Sequence, residues 1–366
     1  MASKSGTRFG IFSLSQFPDQ SQRVQSFDND LGFFESAEAL GYDEIWIAEH
    51  LFSTYGVVTS TQVYAAAIAQ RTKRIRIGMA VVVIPFNHPL RTASDFALVD
   101  VLSHGRLDFG IGRAYQPHEF VGLGVPMDQS REMLAEGIDV VLRAWTQEKV
   151  SHKGRYWTIP EPVEVLPKPV QQPHPPVFQA TVSPESFEQA ARAGFHLQMA
   201  SPFTYRTYRE AWRDELAKCL ARHDATCASL GRNPKSVRKM ILLPFFVHES
   251  AAKAREIYKP HVEWFYAKVT ANQLAGAPQT GVVKGYELTM SEGKRTREMG
   301  YLAFDKLLEN GAAIVGDPAE CIAQLRDLKS RLGITDFALW FNIGGIAPEH
   351  VTKAMQLCAE RVMPEV

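Results

Sequence analysis

The sequence predicts an α/β protein built as a (β/α)8 barrel, and three observations predict it. Eight strand-like runs begin near residues 8, 42, 74, 106, 177, 195, 237 and 335, separated by segments of helical periodicity. The first four β-then-α units fit into about 130 residues with short connections, as parallel strands joined by helical crossovers do. No GxGxxG follows the first strand, which weighs against a doubly wound dinucleotide-binding sheet. One domain over 1–366 is expected, with an insertion at 147–176 after the fourth unit's helix and an irregular segment at 275–293 before the last helices.

The elements follow in order. Residues 8–15 (RFGIFSLS) alternate and form the first strand. Phe27, Leu31, Phe34, Ala37 and Leu40 recur at helical spacing, and Gly41 stops that helix. Residues 42–48 are a strand, 59–70 a helix, and 74–84 (RIRIGMAVVVI) a strand rich in β-branched residues. Pro85 and Pro89 break the chain, 90–102 is helical with Gly105 as its cap, and Leu107, Phe109 and Ile111 mark the fourth strand. A helix over 128–145 is followed by a small hairpin (KVSHKGRYWTI) and a stiff, proline-rich crossing (VLPKPVQQPHPPV). The alternation then resumes, with strands at 177–181, 195–200 and 237–247 and helices at 183–193, 205–230 and 251–274. Residues 275–293 have no period, which in so economical a chain points to a functional loop or to disorder. Asp317, Pro318 and Glu320 form a helix start, Gly333 ends that helix, and a last strand (337–341) and helix (348–362) close the chain.

Forty basic residues balance 40 acidic ones, so the chain lacks the cationic excess of a nucleic-acid or membrane-surface binder. No apolar run reaches the ~20 residues of a membrane span, and the start has no secretory apolar region. Cys219, Cys227, Cys321 and Cys358 show neither CxxC nor metal-finger spacing, as expected of a reduced, cytoplasmic protein.

A barrel meets its ligands at the carboxyl ends of its strands. His50 stands at the second such end, suited to moving protons near neutral pH; Glu49 beside it either orients it or faces the helix layer. The alternative is a strand-end histidine bonded to a backbone carbonyl. Asn87 and His88 read as a structural turn between prolines. The fourth strand carries Gly110 and Gly112, where glycine lets a backbone or a ligand come close, and ends at Arg113, with Gln116, His118 and Glu119 beyond. An ordinary strand with a surface arginine fits those residues equally well. Ser183 and Ser186 open a helix whose hydroxyls and amides, with Arg113, suit one phosphate; Ser183 also serves as an N-cap. With no HExxH, no GxSxG and no strand-end cysteine, the chemistry is expected to come from a cofactor rather than from a metal or a nucleophile.

Five stretches in order carry a resemblance: GYDEIWIAEHLF, RIRIGMAVVVIPFNHPLR, SHGRLDFGIGRAYQPHEFVGLGVPMDQSRE, PPVFQATVSPESFEQAARAG and VGDPAECIAQLRDL…VMP. The chain resembles the bacterial luciferase-like flavin-dependent monooxygenases and is similar to the luciferase α subunit over nearly its whole length. The resemblance implies a (β/α)8 barrel binding reduced FMN, with O2 forming a C4a-peroxyflavin. His50 then matches the catalytic histidine, Arg113 the phosphate-binding arginine, and Ser183 and Ser186 the hydroxyl pair at the phosphate. Ala80 and Val81 match the site of a non-prolyl cis peptide under the flavin ring, Trp264 an aromatic lining the flavin, and 275–293 a mobile lid shielding the flavin from water. Three positions depart. Gly112 replaces luciferase's reactive cysteine, which is expected to leave room beside the flavin; Val182 replaces a glutamate, and Leu51 the second histidine of EHH. Neither light emission nor long-chain aldehyde specificity therefore follows.

The expected activity is an FMNH2-dependent monooxygenation of a small, largely apolar substrate, aldehyde- or ketone-like, with a separate NAD(P)H:flavin reductase as partner. The alternatives are F420-dependent hydride transfer and a non-catalytic flavin-binding protein. A homodimer through the second and third helices is expected from the resemblance and from the alanine-rich 59–70 segment, whose alanines otherwise pack on the barrel.

Overall fold

Eight parallel strands close into a barrel in the computed structural model, which describes residues 6–200, 212–274, 283, 286 and 303–366, the side chains of 270–274 excepted. The strands are β1 (Arg8–Ser13), β2 (Glu44–Ile47), β3 (Arg76–Met79), β4 (Val82–Val83), β5 (Leu107–Gly112), β6 (Val150–Lys153), β7 (Thr158–Val163), β8 (Val177–Ala180), β9 (His196–Ala200), β10 (Lys239–Val247), β11 (Ile314–Gly316) and β12 (Asp336–Trp340). The ring runs β1–β2–β3–β5–β8–β9–β10–β12 and back to β1, where Arg8 lies opposite Asp336. β4 continues β3 alongside β5, β11 pairs in parallel with the end of β10, and β6–β7 form a separate antiparallel hairpin. Each barrel strand begins no more than two residues from its expected start.

The described helices are α1 (Arg23–Leu40), α2 (Thr61–Arg71), α3 (Pro89–Leu102), α4 (Pro117–Leu123), α5 (Ser130–Thr146), α6 (Pro184–Ala193), α7 (Trp212–Ser229), α8 (Ala251–Leu274), α9 (Phe304–Glu309), α10 (Pro318–Leu332) and α11 (Pro348–Arg361). Gly41 and Gly194 end α1 and α6 in the left-handed conformation, at φ 88° and 79°.

Two local expectations change. The third strand does not run unbroken over 74–84: it divides at a cis peptide between Ala80 and Val81, the bond at which the resemblance placed one. α3 is capped by Ser103, and Gly105 instead completes the turn after His104. The helix start at Asp317 forms as expected: its side chain accepts the Glu320 amide at 3.0 Å, Pro318 takes the first position, and the Glu320 carboxylate pairs with Arg255. The 275–293 segment lies outside the described residues except for Val283 and Tyr286.

The lower half of the barrel is filled. Glu44, Arg76, Asp108 and Asp336, near the amino ends of their strands, converge with Arg238; Arg76 and Arg238 reach Asp108 at 2.6 and 3.1 Å, and Arg238 also pairs with Glu44 and Asp336. Burial, then the charge of Asp336, pushes Glu44 up to about 8, while Arg76 and Arg238 hold Asp108 below the usual carboxylate range against its own burial. Trp46 lies across this floor, its Nε1 donating to Glu44 at 2.9 Å and its ring edge-on to Phe178 at 5.1 Å. A Cβ on Gly78 would come within 2.2 Å of that indole, so the strand is side-chain-free where the tryptophan crosses. A ligand is left the carboxyl end. Among the described residues no helix is long and apolar enough to cross a membrane.

Candidate active site

His50 emerges just beyond β2 into a nearly closed setting, 9 % exposed. Its Nδ1 lies 2.9 Å from Glu119 Oε1 and 3.0 Å from the Tyr55 hydroxyl, and Glu119 Oε1 also accepts the Leu51 amide at 3.0 Å. Nδ1 is thus occupied, and Nε2, which makes no hydrogen bond among the described residues, is the nitrogen available for chemistry. The tyrosine rings of Tyr55 and Tyr115 lie 4.8 and 5.9 Å from the imidazole. Phe265 of α8 packs on Tyr55 at 5.8 Å and on Trp340 at 4.7 Å. The result is an imidazole held at Nδ1 and set in an aromatic wall.

Glu119, on α4, therefore does what sequence adjacency offered to Glu49. Consecutive residues in extended chain point to opposite sides. The Glu49 carboxylate turns away and accepts the Val83 amide at 2.9 Å, anchoring the turn after Ala80–Val81. Burial, reinforced by the charge of Glu119, pushes Glu49 up to about 7, against the Val83 and Asn87 hydrogen bonds.

Arg113 follows β5 directly. Its guanidinium carbon lies over the ring of Tyr286, 4.0 Å from the centroid. Ser183 and Ser186 sit at the start of α6. The Ser186 hydroxyl donates to the Ser183 carbonyl at 2.6 Å and accepts the amides of Val182 and Ser183, both at 3.1 Å. Ser186 is thus spent on closing the helix, and the Ser183 side chain accepts from the Ser186 amide in the same capping box, which leaves its hydroxyl proton to donate. The Glu185 carboxylate is drawn to that end: its own backbone N–H, then the Ser183 hydroxyl, then the charges of Arg131 and Arg222 hold it below the usual range against slight burial. The charge of Arg131, in the first turn of α5, also favours the ionised form of Tyr286. Two arginines, a serine hydroxyl and a helix start already attracting a carboxylate are a donor set that fits a phosphate.

The glycines of β5 make room for neighbouring protein atoms. A Cβ on Gly110 would lie 1.7 Å from the Met79 carbonyl, and one on Gly112 2.6 Å from Val81 Cγ2. The expectation that Gly112 leaves open room is therefore corrected: Val81 fills that space. Trp264 is half-buried on α8 and packs against the core, while its neighbour Phe265 is the residue that meets the wall around His50.

Glu119 stood in the sequence after Arg113 without a role, Tyr55 and Tyr115 carried no signal, and Arg131 and Tyr286 belonged to segments read as helix and loop.

The family model described as Luciferase-like monooxygenase matches residues 7–336, and the chain belongs to that family. The oxygenase component of flavin-dependent trigonelline monooxygenase from Acinetobacter baylyi is 24% identical over 368 residues, covering 98% of this chain and 95% of that one. The crystal structure of monooxygenase RslO1 from Streptomyces bottropensis matches with a TM-score of 0.81 at 28% identity, over 98% of this chain and 99% of that one. The oxygenating constituent of 3,6-diketocamphane monooxygenase from Pseudomonas putida, in complex with FMN, shares the fold with a TM-score of 0.77 at 17% identity, over 98% and 99%.

Proposed function

From membership of the luciferase-like monooxygenase family, we propose that this chain is the oxygenase component of a two-component FMNH2-dependent monooxygenase. The observation that carries the reading is the pairing of a carboxylate-held histidine in an aromatic wall with a phosphate-type donor set at the same end of the barrel. When bound, reduced FMN supplies two electrons, so that one atom of O2 enters the substrate and the other leaves as water. Arg113, Arg131 and the Ser183 hydroxyl would hold the flavin phosphate, and the Ala80–Val81 turn, tied down by Glu49, would help to seat the rest of the cofactor. Glu119 fixes His50 by its Nδ1, so that Nε2 gives or takes a proton at the reacting oxygen. Tyr55, Tyr115, Phe265 and Trp340 keep water out and favour a small, largely apolar carbonyl compound such as an aldehyde or ketone.

Reduced flavin comes from a separate NAD(P)H:flavin reductase, a partnership supported by the oxygenase-component relative. The barrel is a single domain, placed in the reducing cytoplasm where its four buried cysteines, none of them in a disulfide, remain thiols. Val63 on α2 and Leu98 on α3, 69% and 46% exposed, give the second and third helices an apolar face for a homodimer. Light scattering at micromolar concentration tests that pairing; a monomer contradicts it.

The test of the site uses two variants. His50→Ala is expected to abolish substrate oxygenation while FMN still binds, and Arg113→Ala to weaken FMN but not riboflavin. Turnover at the wild-type rate in His50→Ala removes the proton-transfer role.

A further inference from the structure

Tyr286 grips Arg113 at both ends. Its ring covers one face of the guanidinium at 4.0 Å, and its hydroxyl lies 2.9 Å from the Ala114 carbonyl, 3.3 Å from the Arg113 carbonyl and 2.9 Å from Ser130 Oγ. A phenol has one proton. Donated to Ala114, it leaves the phenol oxygen to accept from Ser130. Ala114 has φ 62°, a left-handed conformation that alanine adopts only when its surroundings hold it there. The Tyr286 hydroxyl bonds the carbonyl of that residue, directly after the arginine. Tyr286 is itself 2 % exposed, and burial raises its phenol above the ordinary value despite the nearby charge of Arg113.

The geometry matters because a guanidinium uses its two kinds of surface separately. Its N–H groups point outward in the plane and bind a phosphate edge-on, whereas an aromatic ring binds the face. A ring stacked on one face therefore does not compete with an anion. It fixes the plane in which the fork points and removes rotamer freedom that phosphate binding would otherwise have to freeze.

We infer that Tyr286 is a positioning residue for the flavin phosphate: it preorganises Arg113 through its ring and pins the strained Ala114 backbone through its hydroxyl. The inference rests on the phosphate reading of the site given above. It assigns to one residue of the 275–293 stretch a share of flavin affinity and of phosphate selectivity.

The test compares dissociation constants for oxidised FMN and riboflavin, read by flavin fluorescence, in the full-length wild type, Tyr286→Leu, Tyr286→Phe, Arg113→Ala and the Tyr286→Leu/Arg113→Ala double variant. Tyr286→Leu is expected to weaken FMN by about 5- to 20-fold and to leave riboflavin unchanged. Tyr286→Phe keeps the ring and is expected to lose less; it also carries the test should the leucine variant fail to fold. In the Arg113→Ala background, Tyr286→Leu is expected to cost nothing further. Equal weakening of FMN and riboflavin, additivity with Arg113→Ala, or a phenylalanine variant as weak as Arg113→Ala overturns the inference while leaving the phosphate reading intact. An Arg113→Ala variant that binds FMN as tightly as wild type overturns that reading and the inference with it.

Discussion

Replacing Gly112 by cysteine restores the residue that luciferase has beside its flavin, and the structure sets its consequence. An ideal Cβ at position 112 lies 2.6 Å from Val81 Cγ2 and 3.2 Å from its Cβ and Cγ1. Two carbons in ordinary contact stand about 3.5–4.0 Å apart, so the overlap is about 1 Å before Sγ is added. Val81 cannot retreat freely: Val82 beside it pairs with Ile111 of β5, and the Val83 amide is held by Glu49 at 2.9 Å. Overpacking of this kind costs about 1–3 kcal/mol. Gly112→Cys alone is therefore expected to lower stability by that amount. Val81→Ala removes the two clashing methyl groups, so the double variant should recover at least about 1 kcal/mol of the loss. Urea unfolding of the four proteins in the cycle measures this. A neutral Gly112→Cys, or additive effects within about 0.5 kcal/mol, refutes the claim that Val81 occupies the cysteine's place.

Other outcomes follow from the same geometry. Glu119→Gln keeps an acceptor for the Leu51 amide but removes the charge facing His50; kcat should fall about 10- to 100-fold with FMN affinity unchanged, and an equal loss of FMN binding contradicts the positioning role. Glu185→Gln removes the carboxylate that competes for Ser183 and Arg131, so FMN affinity should rise by about 2- to 5-fold and riboflavin affinity stay constant; weaker FMN binding opposes this. Asp30 accepts hydrogen bonds from Ser13, Ser15 and Asn342 at 2.5–2.6 Å but has no cation partner among the described residues, and burial pushes it up to about 6. Its folded pKa exceeds its unfolded one, so its favourable contribution is complete below about pH 4 and fades as pH rises through 6, by about 3 kcal/mol in all. Unfolding free energies of wild type and Asp30→Asn should diverge over that window; parallel curves contradict the assignment.

The barrel was legible because its strands are buried on both faces and read as nearly continuous apolar runs, punctuated by Gly41, Gly194 and Gly333. His50 and Arg113 were legible as candidates for a related reason: each is a polar group stationed at a strand end, where a barrel exposes its interior. What they touch was not. Glu119 meets His50 across 69 positions, and Tyr286 meets Ser130 across 156, distances at which one sequence gives no pairing signal. Adjacency pointed to Glu49 as a possible partner for His50, and extended backbone turned it the other way. The glycines of β5 were rightly read as points of close approach, but the approaching groups are Met79 and Val81. The ion cluster under Trp46 was also invisible, because charges at the starts of separate strands look like ordinary solvated residues until the barrel closes on them.

The most direct test of the central claim is isotopic. The protein is supplied with photoreduced FMN, 18O2 and a panel of small aldehydes and ketones, with F420H2 offered in parallel without oxygen, and products are read by mass spectrometry. The site described here predicts a product carrying one 18O atom, made only with FMNH2 and lost in His50→Ala. Unlabelled products formed with F420H2 in the absence of oxygen would show the same barrel performing hydride transfer, and the monooxygenase account would fall.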